Sequence, residues 1–166
     1  MQATALRNVL GPDEGEEVRL LALGVRFLID GDVTGGRFSL VEHPLPPRAL
    51  GAPMHTHRNE DEYSYILEGR LGLQLGEEVL EAGPGDLVFK PRGVQHTFWN
   101  AGDEPVRLLE LISPAGFENY FREIAPLLAM GDPNNPSIAD VRARYGLDLD
   151  PSSVPVLAAK HSLRLG

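Results

Sequence analysis

The sequence predicts an all-β sandwich or barrel followed by C-terminal helices. Between residues 18 and 112, short runs of strand-forming residues are separated by Gly, Pro and Asp turn signals every ~8–12 residues. After Ser113 the period changes, and Phe117, Tyr120, Phe121, Ile124, Leu127 and Leu128 recur at helical spacing. A chain of 166 residues fits one domain with a small appendage. The division falls as a β domain over 1–115 and a helical extension over 116–166.

Residues 1–15, with Gly11-Pro12-Asp13-Glu14-Gly15, read as a flexible arm. Val18–Ile29 reads as one strand, apolar on both faces, and so covered on both sides. Asp30-Gly31-Asp32 turns the chain into a strand over Gly36–Glu42. His43-Pro44-Leu45-Pro46-Pro47 reads as an irregular loop, because proline has no N–H for a ladder. Tyr63–Leu67 suits a strand. Leu71, Leu73 and Leu75 alternate with Gly72 and Gln74, a half-buried strand. Val79–Glu81, Leu87–Lys90, Gln95–Trp99 and Val106–Ile112 follow, divided by Gly76-Glu77-Glu78 and Gly83-Pro84-Gly85-Asp86. Pro126 loosens the end of the first helix. Gly131–Pro136 is a linker, Ser137 and Asp140 have capping-box spacing, and Gly146 stops a second helix. Ser152 or Ser153 caps a third, with Pro155 near its first turn.

The net charge of −9, from 15 basic and 24 acidic residues, disfavours nucleic acid as a partner. The absence of cysteine rules out disulfides and thiolate ligands. The first ten residues lack the apolar core of a signal peptide, and no run approaches the roughly 18 apolar residues of a membrane helix. The expectation is a cytoplasmic protein with no membrane partner.

The chemistry concentrates in residues 51–100. His55 and His57 are two apart, so on a strand both imidazoles face one side. A carboxylate follows within Glu60-Asp61-Glu62, far enough on to enter the next strand. His96 belongs to a separate strand after the Pro91-Arg92-Gly93 turn. Three imidazoles and a carboxylate form a set of N and O ligands for one divalent transition metal: Fe, Mn, Ni, Cu, Co or Zn rather than Ca or Mg.

His55, His57 two on, Glu62 five further and Gly69 seven further form one pattern. Gly85, Pro91, Gly93, His96 and Asn100 form another. Together these resemble the two motifs of the cupin superfamily. Gly51 lies closer to His55 than the fullest pattern has it, a departure that removes no ligand. The resemblance implies a double-stranded β-helix, the jelly-roll barrel, and a metal held by His55, His57, Glu62 and His96. Of the three carboxylates only Glu62 matches both gaps, with Asp61 second and Glu60 solvated. The resemblance to small cupins of the quercetin dioxygenase type implies an oxygenase on an aromatic or flavonol-like small molecule, with Glu62 also serving as a catalytic base. A non-catalytic small-molecule-binding cupin and a metal-dependent isomerase or lyase are the alternatives.

Period two then predicts the pocket. With His96 inward, Val94 and Phe98 are inward too; with Glu62 inward, so are Ser64 and Ile66. Met54, Ser64, Ile66, Phe89 and Phe98 form the expected wall, apolar and suited to an aromatic substrate. Neither lysine, Lys90 or Lys160, is obviously placed to grip a sugar phosphate. His43 reads as a solvated loop residue and His161 as a surface one, and Asn100 ties down a turn. Tyr63 and Tyr65 face outward and, with the apolar Val18–Ile29 run, are expected to be covered by the C-terminal helix or by a second subunit, giving a homodimer.

Overall fold

The computed structural model describes residues 8–164. The N-terminal part of the expected flexible arm, residues 1–7, lies outside them. Residues 11–14 are tied down. Arg26 Nη1 donates to the carbonyls of Gly11 and Glu14 at 3.2 and 2.8 Å.

Among the described residues, eleven strands and three helices follow in order: β1 (Glu17–Leu20), β2 (Leu23–Ile29), β3 (Ser39–Leu45), β4 (Met54–His57), β5 (Asp61–Glu68), β6 (Leu71–Leu75), β7 (Glu78–Ala82), β8 (Leu87–Lys90), β9 (His96–Asn100), β10 (Val106–Ser113), α1 (Glu118–Ala129), α2 (Pro136–Arg144), β11 (Leu147–Asp150) and α3 (Ser153–His161). They form two antiparallel sheets, ordered β1-β2-β3-β10-β5-β8 and β11-β4-β9-β6-β7. The strands of each sheet come from distant parts of the chain, and the two sheets enclose the core: this is the jelly-roll barrel.

Three elements differ from the sequence reading. The apolar run Val18–Ile29 is two strands, folded at Leu21, whose φ of 55° turns the chain while its side chain stays 66% exposed. Its second apolar face is thus a hairpin partner, and no Gly or Asn marked the turn. The expected loop at His43-Pro44-Leu45 continues β3. The β2 ladder with β3 stops at Glu42, so Pro44 interrupts no β2 hydrogen bond, and Gly24 has no side chain to meet its ring. Finally, β11 pairs with β4 from Leu147↔His57 to Asp150↔Met54, so the C-terminal extension adds a strand to the barrel.

Apolar burial divides into two clusters. Ile66, Leu71, Leu73, Phe98, Val106 and Leu108 fill one end between the sheets. Val25, Val41, Ile112, Phe117, Phe121, Ile124 and Val141 fill the other, where α1 and α2 lie over the barrel. The side chain of Glu118 fixes the start of α1, accepting from the backbone N–H groups of Gly31 (2.9 Å) and Gly116 (2.6 Å). In α2 the cap is Asn135, whose side chain accepts from Ser137 N, with Pro136 in the first turn; the Ser137–Asp140 box is not used. Gly146 ends that helix at φ 63°.

Candidate metal centre

The site lies between the two sheets, with ligand strands from both. β4 supplies His55 and His57, and the adjacent β9 supplies His96, the direct pairing partner of His55. β5, in the facing sheet, supplies Glu62. All four residues are buried, and one potential ligand atom from each lies within 4.8 Å of the others. Atoms each ~2.1 Å from one ion can be at most ~4.2 Å apart, so a small contraction closes the set around a cation.

Hydrogen bonding on the far side of the rings aims them. His55 Nδ1 donates to the Pro53 carbonyl at 2.7 Å, and His96 Nδ1 to the Val94 carbonyl at 3.0 Å. With Nδ1 held on a backbone carbonyl, each ring aims its Nε2 inward. His96 Nε2 sits 3.2 Å from Glu62 Oε2 and His57 Nε2 sits 3.3 Å from Glu62 Oε1. Each of these contacts is favourable when a proton or a cation stands between the ring nitrogen and the carboxylate oxygen. Neither ring nitrogen of buried His57 completes a hydrogen bond among the described residues. A buried polar nitrogen left without a partner is costly, and a divalent cation at the centre of the cluster would satisfy the inward Nε2 of His57. The residues present fit a transition-metal ion.

Electrostatics follow the same logic. Burial works to raise the Glu62 carboxyl, but His57, Lys90 and His96 outweigh it and hold it well below the ordinary carboxylate range. Burial pushes His55 well below the usual histidine value, assisted by His96 and His57. His57 is burdened by burial too, yet Glu62 and Glu60 bring it above its ordinary value.

Several residues stand elsewhere than the sequence implied. Glu60, read as solvated, is buried at 7% exposure with Oε2 3.5 Å from His57 Nδ1, behind the ring. Asp61, the second-choice carboxylate, faces out and pairs with Arg92 at 2.9 Å. Of the expected pocket wall, Phe98 lines the cavity. Met54, Ser64 and Ile66 are buried but are not among its lining residues. Phe89 is half exposed and stacks on Tyr63 on the outer face, because β8 turns Lys90 inward instead. His161 stacks on Trp99 with ring centroids 3.9 Å apart, so α3 covers the outward face of β9. Asn100 Nδ2 donates to the carbonyls of Leu45 and Glu104, as a turn tie should.

The cavity measures about 140 Å³ and reaches from the ligand cluster toward α1. Leu20, Leu23, Phe98, Phe117 and Phe121 give it apolar walls, with Phe117 edge-on to His57 at 4.4 Å. Five residues with polar groups there were missed as site residues: His43, Lys90, Glu110, Tyr120 and Arg142. Lys90 Nζ lies 3.0 Å from Glu62 Oε2 and 2.9 Å from Glu110 Oε2, and Glu110 also accepts from Ser64 Oγ at 2.8 Å. Burial pushes the Glu110 carboxyl up to about 7, against the pull of Lys90. Lys90 is itself disfavoured by burial, but Glu110 and Glu62 raise it above its ordinary value. His43 is 2% exposed, donates from Nδ1 to the Gly24 carbonyl at 2.9 Å, and is pushed down to about 4 chiefly by burial.

Residues 42–112 match the family described as the cupin domain. The polyketide synthase protein CurC of Streptomyces cyaneus is 30% identical over 103 residues, 61% of this chain. The chain spans 61% of that relative's own length, less than two thirds of it. Among solved structures, a predicted oxalate decarboxylase from Thermotoga maritima matches with a TM-score of 0.60 at 21% identity, covering 64% of this chain and 98% of that one. A cupin-superfamily sugar phosphate isomerase from Silicibacter pomeroyi matches at 0.55 and 25%, covering 63% and 74%. These findings support the cupin superfamily for this chain, and the activities named on that fold are varied.

Proposed function

We propose, from the cupin fold and its buried ligand cluster, that this chain is a metal-dependent oxygenase acting on a hydroxylated aromatic small molecule. The observation that carries the reading is the convergence of His55, His57, Glu62 and His96 at the base of an apolar, aromatic-walled cavity. Its volume is close to the ~150 Å³ of an apolar cavity known to take up benzene, so one ring of a substrate fits inside. A larger flavonol-like molecule would leave its remaining rings toward α1. The name of the polyketide synthase relative supports a polyketide-like substrate.

A divalent transition ion held by the four residues would supply Lewis acidity toward a substrate hydroxyl and, if redox-active, electron transfer with O₂. The chain's own residues do the rest. Phe98, Phe117 and Phe121 exclude water and orient the ring, so charge forming on the substrate oxygen is poorly screened. Glu62 stands beside that oxygen and can take its proton, while Lys90 keeps the carboxylate aimed and ionised. Oxygen uptake by metal-reconstituted protein across a panel of catechols, resorcinols, hydroquinones and flavonols tests this. The reading expects substrate-dependent uptake that Glu62→Gln abolishes; no uptake with Fe, Mn, Ni or Cu overturns it.

A metal-dependent isomerase or lyase is the second reading. It is favoured by the Lys90–Glu110 pair, an acid/base device that needs no oxidant. Such an enzyme would turn over under nitrogen. Lys90 is not the group to hold a sugar phosphate, since its Nζ is already shared between two carboxylates. For assembly we propose a homodimer across the outer face of β5 and β8, where Tyr65, Leu87 and Phe89 are 43%, 64% and 49% exposed. A monomeric sedimentation profile at micromolar concentration contradicts it.

A further inference from the structure

Beyond the ligand cluster, the cavity holds one more group built to meet a substrate. His43 sits on β3 in the sheet facing His55, His57 and His96, and its ring lines the cavity between Phe98 (centroids 6.3 Å apart) and Phe121 (5.5 Å, edge-on). Its Nδ1 is committed to the Gly24 carbonyl at 2.9 Å, and a carbonyl only accepts, so Nδ1 carries the hydrogen. In the neutral ring, Nε2 is then a lone pair with no hydrogen-bond partner among the described residues. Phe98 and Phe121 flank the ring, and Lys90, Glu62 and Glu110 line the same cavity.

We propose that His43 is a specificity-determining residue whose Nε2 accepts a hydrogen bond from a second hydroxyl of the substrate, one that does not face the metal cluster. The substrate class is thereby narrowed to dihydroxylated aromatic rings, or their enol equivalents, whose two oxygens are too far apart to chelate one ion. Burial supports the acceptor role by keeping the ring neutral down to about pH 4. Lys90, Glu62 and Glu42 are the charged groups acting on it, and Lys90 opposes protonation. A site that leaves a buried acceptor for a substrate O–H discriminates against the analogue without it, because the acceptor then stays unpaired.

The inference rests on the reading of this cavity as an aromatic-substrate site, and the test separates the two. Phenol, resorcinol and hydroquinone are titrated calorimetrically into zinc-loaded protein under nitrogen, so that binding is read without turnover. The expected result is that resorcinol or hydroquinone binds roughly tenfold or more tightly than phenol. That preference falls to near unity in His43→Phe, which keeps an aromatic ring, and in His43→Leu, which keeps a branched apolar side chain without an acceptor. Zinc content stays at the wild-type level in both, and the ratio of diol to phenol affinity is the quantity read. Equal binding of phenol and both diols by the wild type overturns the inference while leaving the aromatic site standing. So does a diol preference that survives in either variant. No binding of phenol at all overturns the aromatic reading and the inference with it.

Discussion

Replacing Lys90 by methionine should be the most damaging single change near the site that alters no metal ligand. The ammonium is 3% exposed and lies 2.9 Å from Glu110 and 3.0 Å from Glu62. At an effective dielectric constant near 20, one unit pair at 3 Å is worth roughly 5 kcal/mol before desolvation is counted. Removing one partner of a buried pair typically costs ~3–5 kcal/mol, because the remaining charge is stranded. Protonation limits the loss, since Glu110, already raised to about 7 by burial, can take up a proton. Its pairing with Lys90 therefore matters fully only above that pH. The penalty of Lys90→Met should be about 3–5 kcal/mol at pH 8 and clearly smaller at pH 5.5. It should also shrink when metal is bound, because the cation then faces Glu62. The double variant Lys90→Met/Glu110→Leu should regain ~2 kcal/mol or more, as it removes both charges of one pair. Urea unfolding at the two pH values, with chelator and with metal, measures every leg. A loss below about 1 kcal/mol at pH 8, or one that grows on acidification, would refute the reasoning.

Glu60→Gln should lower metal affinity about 10–100-fold without removing a ligand, because the charge behind His57 Nδ1 is lost; competition against a chromophoric chelator reads this. His43 should contribute an acid limb to stability. Its folded pKa is depressed to about 4 from 6.5, so its contribution is present above pH 6.5 and lost as pH falls toward 4, up to ~3 kcal/mol. The difference in unfolding free energy between wild type and His43→Phe, followed from pH 7 to 4, should show that slope, and a flat difference contradicts it. Gly72→Ala should cost ~1–3 kcal/mol in thermal or urea unfolding, since the added methyl would stand 2.2 Å from Trp99 Nε1 on the strand beside it.

Much of this architecture was legible because it is written in local spacing. Period two placed His55 with His57, and Tyr65 with the outer face. The turn residues around Gly83–Asp86 bracket β8 where it occurs, over Leu87–Lys90. What local pattern could not convey was pairing across the chain. The hairpin at Leu21 has no turn-forming residue, so an apolar run looked like one doubly covered strand. Pro44 is tolerated in β3 because a distant glycine, Gly24, leaves room beside it. β11 is four residues long and exists by virtue of its ladder to β4. The missed site residues had a faint signal. Glu110 falls on the inward face of β10 between Leu108 and Ile112, and His43 falls between Val41 and Leu45 on β3. A titratable side chain in phase with an apolar strand face needs a buried partner or a purpose. Glu60 carried no such mark, since its burial depends on the fold of the turn behind His57.

The central claim is that His55, His57, Glu62 and His96 close around one cation. Calorimetric titration of chelator-stripped protein with Mn, Fe, Co, Ni, Cu and Zn salts tests it most directly. The account predicts saturable binding of one ion per chain for at least one of them, weakened 100-fold or more by either His57→Ala or Glu62→Gln. Binding by none of the six, or affinity untouched by both substitutions, would contradict it.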